Sequence, residues 1–561
     1  MSTTEEIILQ MRQEFDSLLE YVISGSEGGL GEDRGAEPRS AYDLEVGVFR
    51  RVMELGRTSM EASLCREVER HRSSSTPDAA GEPLPYHSER KRSLMTIFGK
   101  VRFARSYYYE AGRGGRCPMD AALNLPKKGV SDLLRECQEL LSVSTAYHSV
   151  GTILGKLFGR TISSREMQSE VLEEAKEVVA YYAQSEPVTP DPCASILVLQ
   201  ADGKGVPLIK EAKEEAKERL GKGEKTGKKK EAIVTAVYSV APMKRTPMEF
   251  LLVLFPSFRG PFGIPVRMLG PNEIVPDQDD RVLNRDGSGP SLEPRPTKER
   301  PKPKNKWLWA TLDGKEAAVE FAAQEVKRQD GPSIQHRIAL TDGSEPLQQR
   351  VRSRLKGFTL ILDFIHVDEY LWKAANGLLG EKAPQRTEWV AARSLTLLLG
   401  NTHTVIAEFR QIASTLDDSP TQAGPLLTAA AYFERNLAFM RYNQYLDEGF
   451  PICTGVIEGA CRHLVKDRCE LSGMQWTKDG AEAILHLRSV AENGDWEDFH
   501  VFRRDRRRTA LYSLPSLLTP PPYRLPSDTR ISGPDPSCPN SLLTRFIPPP
   551  LAQTSVSPLL C

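Results

Sequence analysis

The order of apolar and polar positions divides the chain into a helical first part, a strand-rich centre and a helical last part. Apolar residues recur at helical spacing in "LEVGVFRRVMELGRTSMEASLCREVERH" and again through residues 129–184. This periodicity is typical of amphipathic helices that bury one face. Between these two helical regions, "HRSSSTPDAAGEPLPYH" has the composition of a linker.

Short apolar runs with the length of buried strands begin at Ser195. Four of them are "ASILVLQAD", "AIVTAVYSV", "HRIALTDG" and "GFTLILDF", and a further strand is predicted at either "FLLVLF" or "KWLWATL". Strands that give way to helical segments in this manner favour an α/β fold. Helical spacing returns after Asp363, continues to about Gly449, and resumes in "VIEGACRHLVKDRCELSGMQW".

Two turn signals lie before the strand-rich centre. The stretch "LMTIFGKVRFARSYYYEAG" alternates around a central Gly-Lys pair, which predicts a β-hairpin. Further on, a helix ends at Gly159 and another begins at Ser163, whose spacing to Glu166 matches a capping box. This pattern fits a DNA-binding helix-turn-helix, and it fits an ordinary pair of antiparallel helices at least as well.

These patterns define a series of segments along the chain. They are a helical N-terminal segment with a linker (1–95), a β-hairpin region (96–128), a helical, helix-turn-helix-like region (129–190), a strand-rich core (191–380) with a Pro-rich insertion (257–305), a helical insertion (381–450), the last part of the core (451–500), and a basic, then Pro-rich tail without a packed core (501–561).

Composition narrows the possible partners and location. The chain has 561 residues, of which 40% are hydrophobic, and a net charge of -1, so it is globular without a general basic character. Its first residues lack a signal-peptide layout, and "FLLVLFP" is too short to span a bilayer. The nine cysteines include no C-x-x-C pair, so neither a disulfide framework nor a zinc ribbon is predicted. We expect an intracellular protein without a membrane segment.

Positive charge is concentrated in three short stretches, residues 221–230, 298–306 and 503–508. On a nearly neutral chain such patches are candidates for phosphate contacts, although each is also typical of a solvated loop. The candidate DNA-contacting side chains within them are Lys228, Lys229, Lys230, Arg506 and Arg507.

Three acidic residues are candidates for a shared site. Asp202 in "LQADGKG" and Asp342 in "ALTDGS" each end a predicted strand and precede a glycine. Ligands of open α/β sheets bind at the carboxyl ends of strands, but an Asp-Gly pair is also a common turn. Glu458 begins a helix after a Thr-Gly pair, where it could also simply stabilise the helix N-terminus. Lys466 and Arg468 follow on this helix and could contact phosphates.

Four blocks of the sequence resemble a known family. "DGKGVP", "LTDGSEPL", "LDFIHVDEYLWKAA" and "EGACRHLVKDRCELSGMQWTKDGAEAILHLRSV" are similar to the corresponding blocks of bacterial insertion-sequence transposases of the ISKra type. These are DDE enzymes with a ribonuclease-H-like core, distantly related to Mutator-like transposases. The similarity covers roughly residues 95–500, and the last block is its most specific part.

The resemblance implies an α/β ribonuclease-H-like catalytic core with an α-helical insertion, preceded by a helical DNA-binding region. Asp202 matches the first metal-binding catalytic acid, at the end of the first core strand. Asp342 matches the second, on the fourth strand, and Glu458 matches the third, on the helix after the helical insertion. Together they would hold two Mg²⁺ ions, for which Mn²⁺ can substitute. Asp363 and His366 in "DFIH" match a supporting pair, and in the alternative Asp363 is the second metal ligand and Asp342 a turn residue.

The expected function is metal-dependent cleavage and strand transfer of insertion-sequence ends by a DDE transposase. Its expected partners are double-stranded DNA, at the terminal inverted repeats and the target, and further copies of the chain in a homodimer or higher oligomer. The expected location is the bacterial cytoplasm, on the nucleoid when bound. Two alternatives are an inactive, transposase-derived DNA-binding protein and a ribonuclease-H-like nuclease without strand transfer. The presence of all three acids argues against the inactive protein.

Overall fold

The computed structural model describes residues 4–24, 40–78, 80–159, 162–209, 229–259, 300–416, 419–471 and 473–512. These residues form two compact units. The first unit contains the described residues up to Ser169 and from Glu497, and the second contains those of Glu170–Trp496. Lys228, most of the Pro-rich insertion and the tail beyond Tyr512 lie outside the described residues.

The first part of the chain combines helices with a small antiparallel sheet. Its elements are α1 (Thr4–Ser24), α2 (Ala41–Arg70), β1 (Ser75–Pro77), β2 (Pro83–Thr96), β3 (Gly99–Glu110), β4 (Gly114–Arg116), α3 (Pro118–Ala122), α4 (Asp132–Ser144), α5 (Tyr147–Phe158) and α6 (Ser164–Ala175). The sheet has the strand order β1-β2-β3-β4. In α1, Tyr21 lies against Gly47 of α2 and its hydroxyl donates to the Asp43 carbonyl (3.0 Å). The two helices therefore pack directly on each other.

The predicted β-hairpin is present and is longer than the sequence indicates. β2 begins at Pro83, inside the stretch whose composition predicts a linker, and pairs with both β1 and β3. Leu84 is buried, and Val101 and Phe103 of β3 pack against Leu64 of α2. The linker prediction is wrong at this point because an exposed strand tolerates proline and polar residues between a few buried positions.

The helical region 129–190 contains the predicted helices. Val150 of α5 packs against Met167 of α6. Gly159, with a φ of +64°, ends α5, and Ser163 Oγ accepts a hydrogen bond from the Glu166 N–H (3.2 Å) at the start of α6. The turn and the cap are confirmed, and DNA binding by these helices stays a prediction.

A five-stranded mixed sheet forms the centre of the second unit. Its strands are β5 (Ile196–Pro207), β6 (Lys229–Val240), β7 (Lys304–Thr311), β8 (His336–Thr341) and β9 (Thr359–Leu362), in the order β7-β6-β5-β8-β9. β5, β8 and β9 run parallel, whereas β6 is antiparallel to both of its neighbours. The strand predicted at one of two places is therefore "KWLWATL".

Helices surround this sheet. They are α7 (Val178–Ala183), α8 (Pro247–Leu254), α9 (Lys315–Gln329), α10 (Glu345–Arg354), α11 (Phe364–Leu379), α12 (Arg386–Leu398), α13 (Thr402–Ser414), α14 (Pro420–Asn436), α15 (Tyr442–Asp447), α16 (Gly455–Ala460), α17 (Asp467–Cys469) and α18 (Lys478–Asn493). A π-helical turn, Cys461–Lys466, joins α16 to α17. The run "FLLVLF" lies in α8, which Thr246 and Glu249 begin with a capping box.

The main hydrophobic core of this unit includes residues of the sheet, of α8 and of α11–α15. Ile196 and Val198 of β5 belong to it, with Ile338 and Ile361 of the parallel strands. β5 is buried without alternation from Ile196 to Ala201, as expected of a strand that is covered on both faces. Among the described helices, none combines the length and the apolar character needed to cross a bilayer.

A buried polar bridge joins β5 to α16. Gln200 is fully buried; its Nε2 donates to the Tyr238 hydroxyl (2.9 Å) and to the Cys453 carbonyl (3.3 Å). Its Oε1 accepts from the Ile457 N–H (3.0 Å). Buried polar groups need such partners because water cannot replace them. The bridge therefore fixes α16 next to β5.

The chain continues as a helix where the sequence predicts an unpacked tail. Residues 501–512 belong to α19 (Trp496–Tyr512). Tyr512 donates a hydrogen bond to the Leu125 carbonyl (2.6 Å), and Asn124 Nδ2 donates to the Arg504 carbonyl (2.8 Å). The prediction fails here because the partners of this helix lie far away in the sequence.

We expect Gln200→Leu to destabilise the protein by about 2–4 kcal/mol, because it leaves the buried Ile457 N–H and Cys453 carbonyl without a partner. Urea unfolding measures the change. Gln349→Leu is the matched control: Gln349 is exposed and donates to Glu345 one turn away on the same helix. Its expected effect is within about 0.5 kcal/mol. Equal stability of Gln200→Leu and the wild type would contradict the bridge.

Candidate active site

The strand register places three aspartates in one row. Ala201 pairs with Thr341, and Thr341 pairs with Leu362, across β5, β8 and β9. Each of these paired residues is followed along the chain by an aspartate: Asp202 after Ala201, Asp342 after Thr341, and Asp363 after Leu362. Neighbouring strands are about 4.8 Å apart, and paired residues of parallel strands point to the same face. The register thus sets the three aspartates at neighbouring positions. The prediction that Asp202 ends its strand is wrong: only the pairing of β5 with β8 stops at Ala201, whereas β5 continues to Pro207 through its pairing with β6.

Asp202 is largely buried beside other ionisable groups. Its Oδ1 accepts from the Gly203 N–H (2.7 Å), and the Cys461 thiol donates to its Oδ2 (3.6 Å). Burial raises the pKa of Asp202 above its ordinary value, and the charge of Asp342 adds to the rise. The hydrogen bond from Gly203 and the charge of His366 oppose it. Asp202 therefore lies within electrostatic range of Asp342 and His366.

Asp363 is fully buried and its carboxylate is engaged by protein groups on all sides. Oδ1 accepts from the N–H groups of Ile365 (3.2 Å) and Thr454 (3.1 Å). Oδ2 accepts from the Thr454 hydroxyl (2.6 Å) and lies 2.8 Å from His366 Nδ1. These contacts favour a supporting role for Asp363, and they leave Asp342 as the better candidate for the second ligand.

Glu458 is brought towards the row by the two buried links that fix α16. Thr454, whose backbone and side chain bind Asp363, is the N-cap of α16, and Ile457 binds Gln200. Burial raises the pKa of Glu458, the charges of Asp363 and Asp202 raise it further, and His366 opposes them. The π-helical turn begins at Cys461, three residues after Glu458, and such turns are frequent at functional sites.

The carboxylates of Asp202, Asp342 and Glu458 are oxygen ligands of the kind that hard divalent cations prefer. Three carboxylates, two of which have a raised pKa, form a concentration of negative charge for which Mg²⁺ or Ca²⁺ is the natural counter-ion. Within the described ranges, however, no three or more His, Cys, Asp or Glu side chains are spaced to hold a metal ion. Register and electrostatics therefore bring Asp202, Asp342 and Glu458 to one edge of the sheet, without closing a coordination shell.

Hydrogen bonds from the helical insertion hold the turn that carries Asp342. The sequence did not predict these contacts. Tyr432 of α14 donates to the Asp342 carbonyl (2.9 Å), and Arg435 donates to the Gly343 carbonyl (3.4 Å). Gly343 has a φ of +83°, and a Cβ there would lie 2.7 Å from the Tyr432 hydroxyl. Glycine is required here for its conformation and for this close approach. Tyr370 stacks on the Tyr432 ring with centroids 4.0 Å apart and fixes its position.

Gln200 is the other residue that the sequence analysis overlooked. It is a polar residue inside the apolar run "ILVLQAD", and a buried polar group in a strand indicates a specific partner. Thr454 and Tyr432 give no comparable signal, because a threonine before a glycine and a tyrosine in a helix are ordinary.

The basic residues near Glu458 separate into exposed and buried ones. Lys466 is exposed, as a phosphate contact requires. Arg468 is fully buried, with its guanidinium 4.7 Å from the Trp476 ring centroid. The prediction that Arg468 contacts phosphate is wrong, because the helix turns this side chain into the core. On β6, Lys229 forms an ion pair with Glu470 (2.5 Å), and Lys230 is half-buried.

The arginines of α19 face the acids of α4 within the first unit. Arg507 forms a bidentate ion pair with Asp132, with 2.7 Å for each nitrogen. Arg504 also pairs with Glu136, and Arg503 lies 3.5 Å from Glu139. Burial alone would raise the pKa of Asp132, but the hydrogen bonds from Arg507 lower it below its ordinary value. This pairing gives Arg507 a structural role and corrects its assignment to DNA.

Arg506 lies in a different environment from Arg507. It is exposed and its guanidinium lies 5.8 Å from the Phe502 ring centroid. Of the two arginines predicted to contact DNA in this run, Arg506 is the one whose position suits a phosphate.

No model of a protein family matches the chain, and no curated protein matches it.

We expect the protonated His366 to stabilise the metal-free protein. The hydrogen bond to Asp363 raises the pKa of His366 from 6.5 to about 9, although burial opposes the rise. Because the folded-state pKa is raised, this stabilisation of roughly 3 kcal/mol is complete below the unfolded-state pKa and is lost as the pH rises through the folded-state value.

Urea unfolding of the wild type and of His366→Gln, in EDTA, tests this expectation. The difference between their unfolding free energies should shrink from about pH 6.5 to about pH 9. A difference that stays constant over this interval would contradict the His366–Asp363 interaction.

We expect Arg507→Ala to lower the stability of the first unit by about 1–3 kcal/mol, since it breaks a largely buried ion pair. It should leave the salt dependence of DNA binding unchanged. Arg506→Ala on the same helix is the control, with little change in stability and, if Arg506 contacts a phosphate, a salt slope smaller by about one. A reduced slope and unchanged stability for Arg507→Ala would restore the original assignment.

Proposed function

We propose that the chain is a DDE transposase with a ribonuclease-H-like core, which cleaves the ends of an insertion sequence and joins them to target DNA. The observation that carries this proposal is the register that sets Asp202 beside Asp342, where the pairing of β5 with β8 stops, with Glu458 held nearby by the buried hydrogen bonds of α16. Asp202 interacts electrostatically with both Asp342 and Glu458, from remote parts of the chain, at a place where α/β sheets bind ligands.

The connectivity of the second unit supports the ribonuclease-H-like assignment. In chain order, Asp202 is on the first strand of the sheet and Asp342 follows the fourth, as the resemblance implies. The helices α12–α15 occupy the place of the helical insertion, between Asp363 and Glu458. This agreement between topology and motif positions is more specific than a single Asp-Gly pair.

Each residue at the edge has a role in this proposal. Asp202, Asp342 and Glu458 would hold Mg²⁺, which when bound supplies an activated water or hydroxyl and stabilises the leaving oxygen. Asp363 positions α16 and holds His366, which is protonated at neutral pH and offsets part of the negative charge. Phosphodiester chemistry needs such positioning and charge neutralisation more than a protein nucleophile.

Positive side chains would bind the phosphates of double-stranded DNA. Exposed Lys466 lies two turns beyond Glu458 on the same helical run. Arg435 is exposed at the Asp342 turn, where it bonds to the Gly343 carbonyl. A homodimer or higher oligomer on DNA and a bacterial, nucleoid-associated location belong to the same proposal.

We expect Asp202→Asn, Asp342→Asn and Glu458→Gln each to reduce cleavage at least about 10³-fold while DNA binding in EDTA is retained. The substrate is a labelled duplex that contains the DNA flanking the coding region, incubated with Mg²⁺ or Mn²⁺. Glu448→Gln, an exposed acid on the same unit, should retain full activity.

The products of this assay separate the alternatives. Joined DNA indicates a transposase, whereas cleavage without joining indicates a nuclease on the same core. Cleavage by Asp202→Asn, or cleavage that persists in EDTA, would refute the metal-dependent mechanism. Binding without cleavage by the wild type would indicate a DNA-binding protein that has lost its activity.

A further inference from the structure

The helical hairpin of α1 and α2 exposes an unusual amount of apolar surface. In α1, Phe15, Leu19 and Val22 are exposed and follow the i, i+4, i+7 spacing of one helical stripe. In α2, Leu44, Val48 and Val52 follow each other at intervals of four residues and are exposed as well. These six side chains are 37–62% exposed, so each helix has an apolar stripe that the described residues leave uncovered.

The two stripes lie on the same side of the hairpin. The contact between Tyr21 and Gly47 pairs the end of α1 with the beginning of α2, which makes the helices antiparallel. Phe15 and Leu55 line one groove of about 380 Å³ between the helices. Leu55 is seven residues beyond Val48 and therefore continues the α2 stripe along this groove. Met11, Phe15 and Leu55 give the groove its apolar lining, and Arg12, Asp16 and Ser59 are its polar residues.

We propose that this groove is the surface on which a second copy of the chain docks, so that two hairpins form a four-helix bundle. A two-fold pairing needs one self-complementary patch, and a groove between two antiparallel helices with apolar stripes on both walls provides it. The stripes have the spacing with which side chains of one helix pack between those of another.

The size of the patch agrees with a stable dimer. At the exposures given above, the six side chains present on the order of 500 Å² per copy, which is more than half of the roughly 800 Å² that each partner buries in a standard interface. An apolar patch of this size is at the upper end of what monomers leave open to water, and such patches often mark an interaction site.

Charges at the edge of the groove favour the same occupant. Arg12 and Asp16 line the groove, and both are exposed. A two-fold axis near the middle of α1 brings Arg12 of each copy towards Asp16 of the other. The pairing thus satisfies two charges of opposite sign at once, which a partner of unrelated chemistry would not do. The inference rests on the proposed function in so far as it names the surface for the homodimer, and its test without DNA can fail while the catalytic proposal holds.

Sedimentation equilibrium of the full chain, from about 0.1 to 100 µM and without DNA, tests the proposal. We expect a dimer for the wild type and at least a 100-fold weaker dimer for Leu19→Glu, because the new charge would be buried in the interface. Gln13→Glu adds the same charge to the exposed side of α1 outside the groove and should leave the dimer unchanged. Circular dichroism and thermal unfolding show whether each variant is folded.

A charge reversal separates an interface effect from a folding effect. Arg12→Asp and Asp16→Arg should each weaken the dimer, and the double variant should restore it. A monomeric wild type throughout this concentration range would overturn the proposal, and would show that another segment or partner covers the groove. A Leu19→Glu variant that dimerises like the wild type, or a double variant without rescue, would overturn it as well.

Discussion

The site depends on two buried hydrogen-bonded links that attach α16 to the ends of the parallel strands. Gln200 binds the Cys453 carbonyl and the Ile457 N–H, and Asp363 binds the backbone and side chain of Thr454. Sheet register alone aligns the aspartates, but it has no influence on a helix that begins far downstream. The two links convert a short helix, which would not be stable by itself, into a fixed support for Glu458.

The arrangement of acids around His366 also has an electrostatic consequence. The edge of the sheet concentrates carboxylates around one imidazolium, and their repulsion, together with burial, raises the pKa of Asp202 and Glu458. Like charges in a partly buried place destabilise a fold unless a counter-ion is present. The hydrogen bonds of Tyr432 and Arg435 to the Asp342 turn hold this geometry from the side of the insertion. Functional sites commonly accept such local instability because rigid surroundings compensate for it.

Much of this arrangement could be predicted from local patterns. The strands before Asp342 and around Asp202 and the helix that contains Glu458 follow from apolar runs and turn residues. The structure contains these elements, but β5 continues past Asp202 to Pro207 and α16 begins at Gly455. Long-range partners could not be predicted in this way. Arg468 is charged and lies in a helix, yet it is buried on Trp476, and the basic run of α19 meets acids more than 350 residues away. Nothing in the local sequence encodes such a partner.

The separation of the acids along the chain has a consequence for biosynthesis. During translation, the strands that carry Asp202 and Asp342 leave the ribosome before α16 is made, since 116 residues separate Asp342 from Glu458. Until then, the buried groups of Gln200 and Asp363 lack the partners that α16 provides. A nascent or prematurely terminated product therefore has buried polar groups without partners, and this exposes it to quality-control proteases.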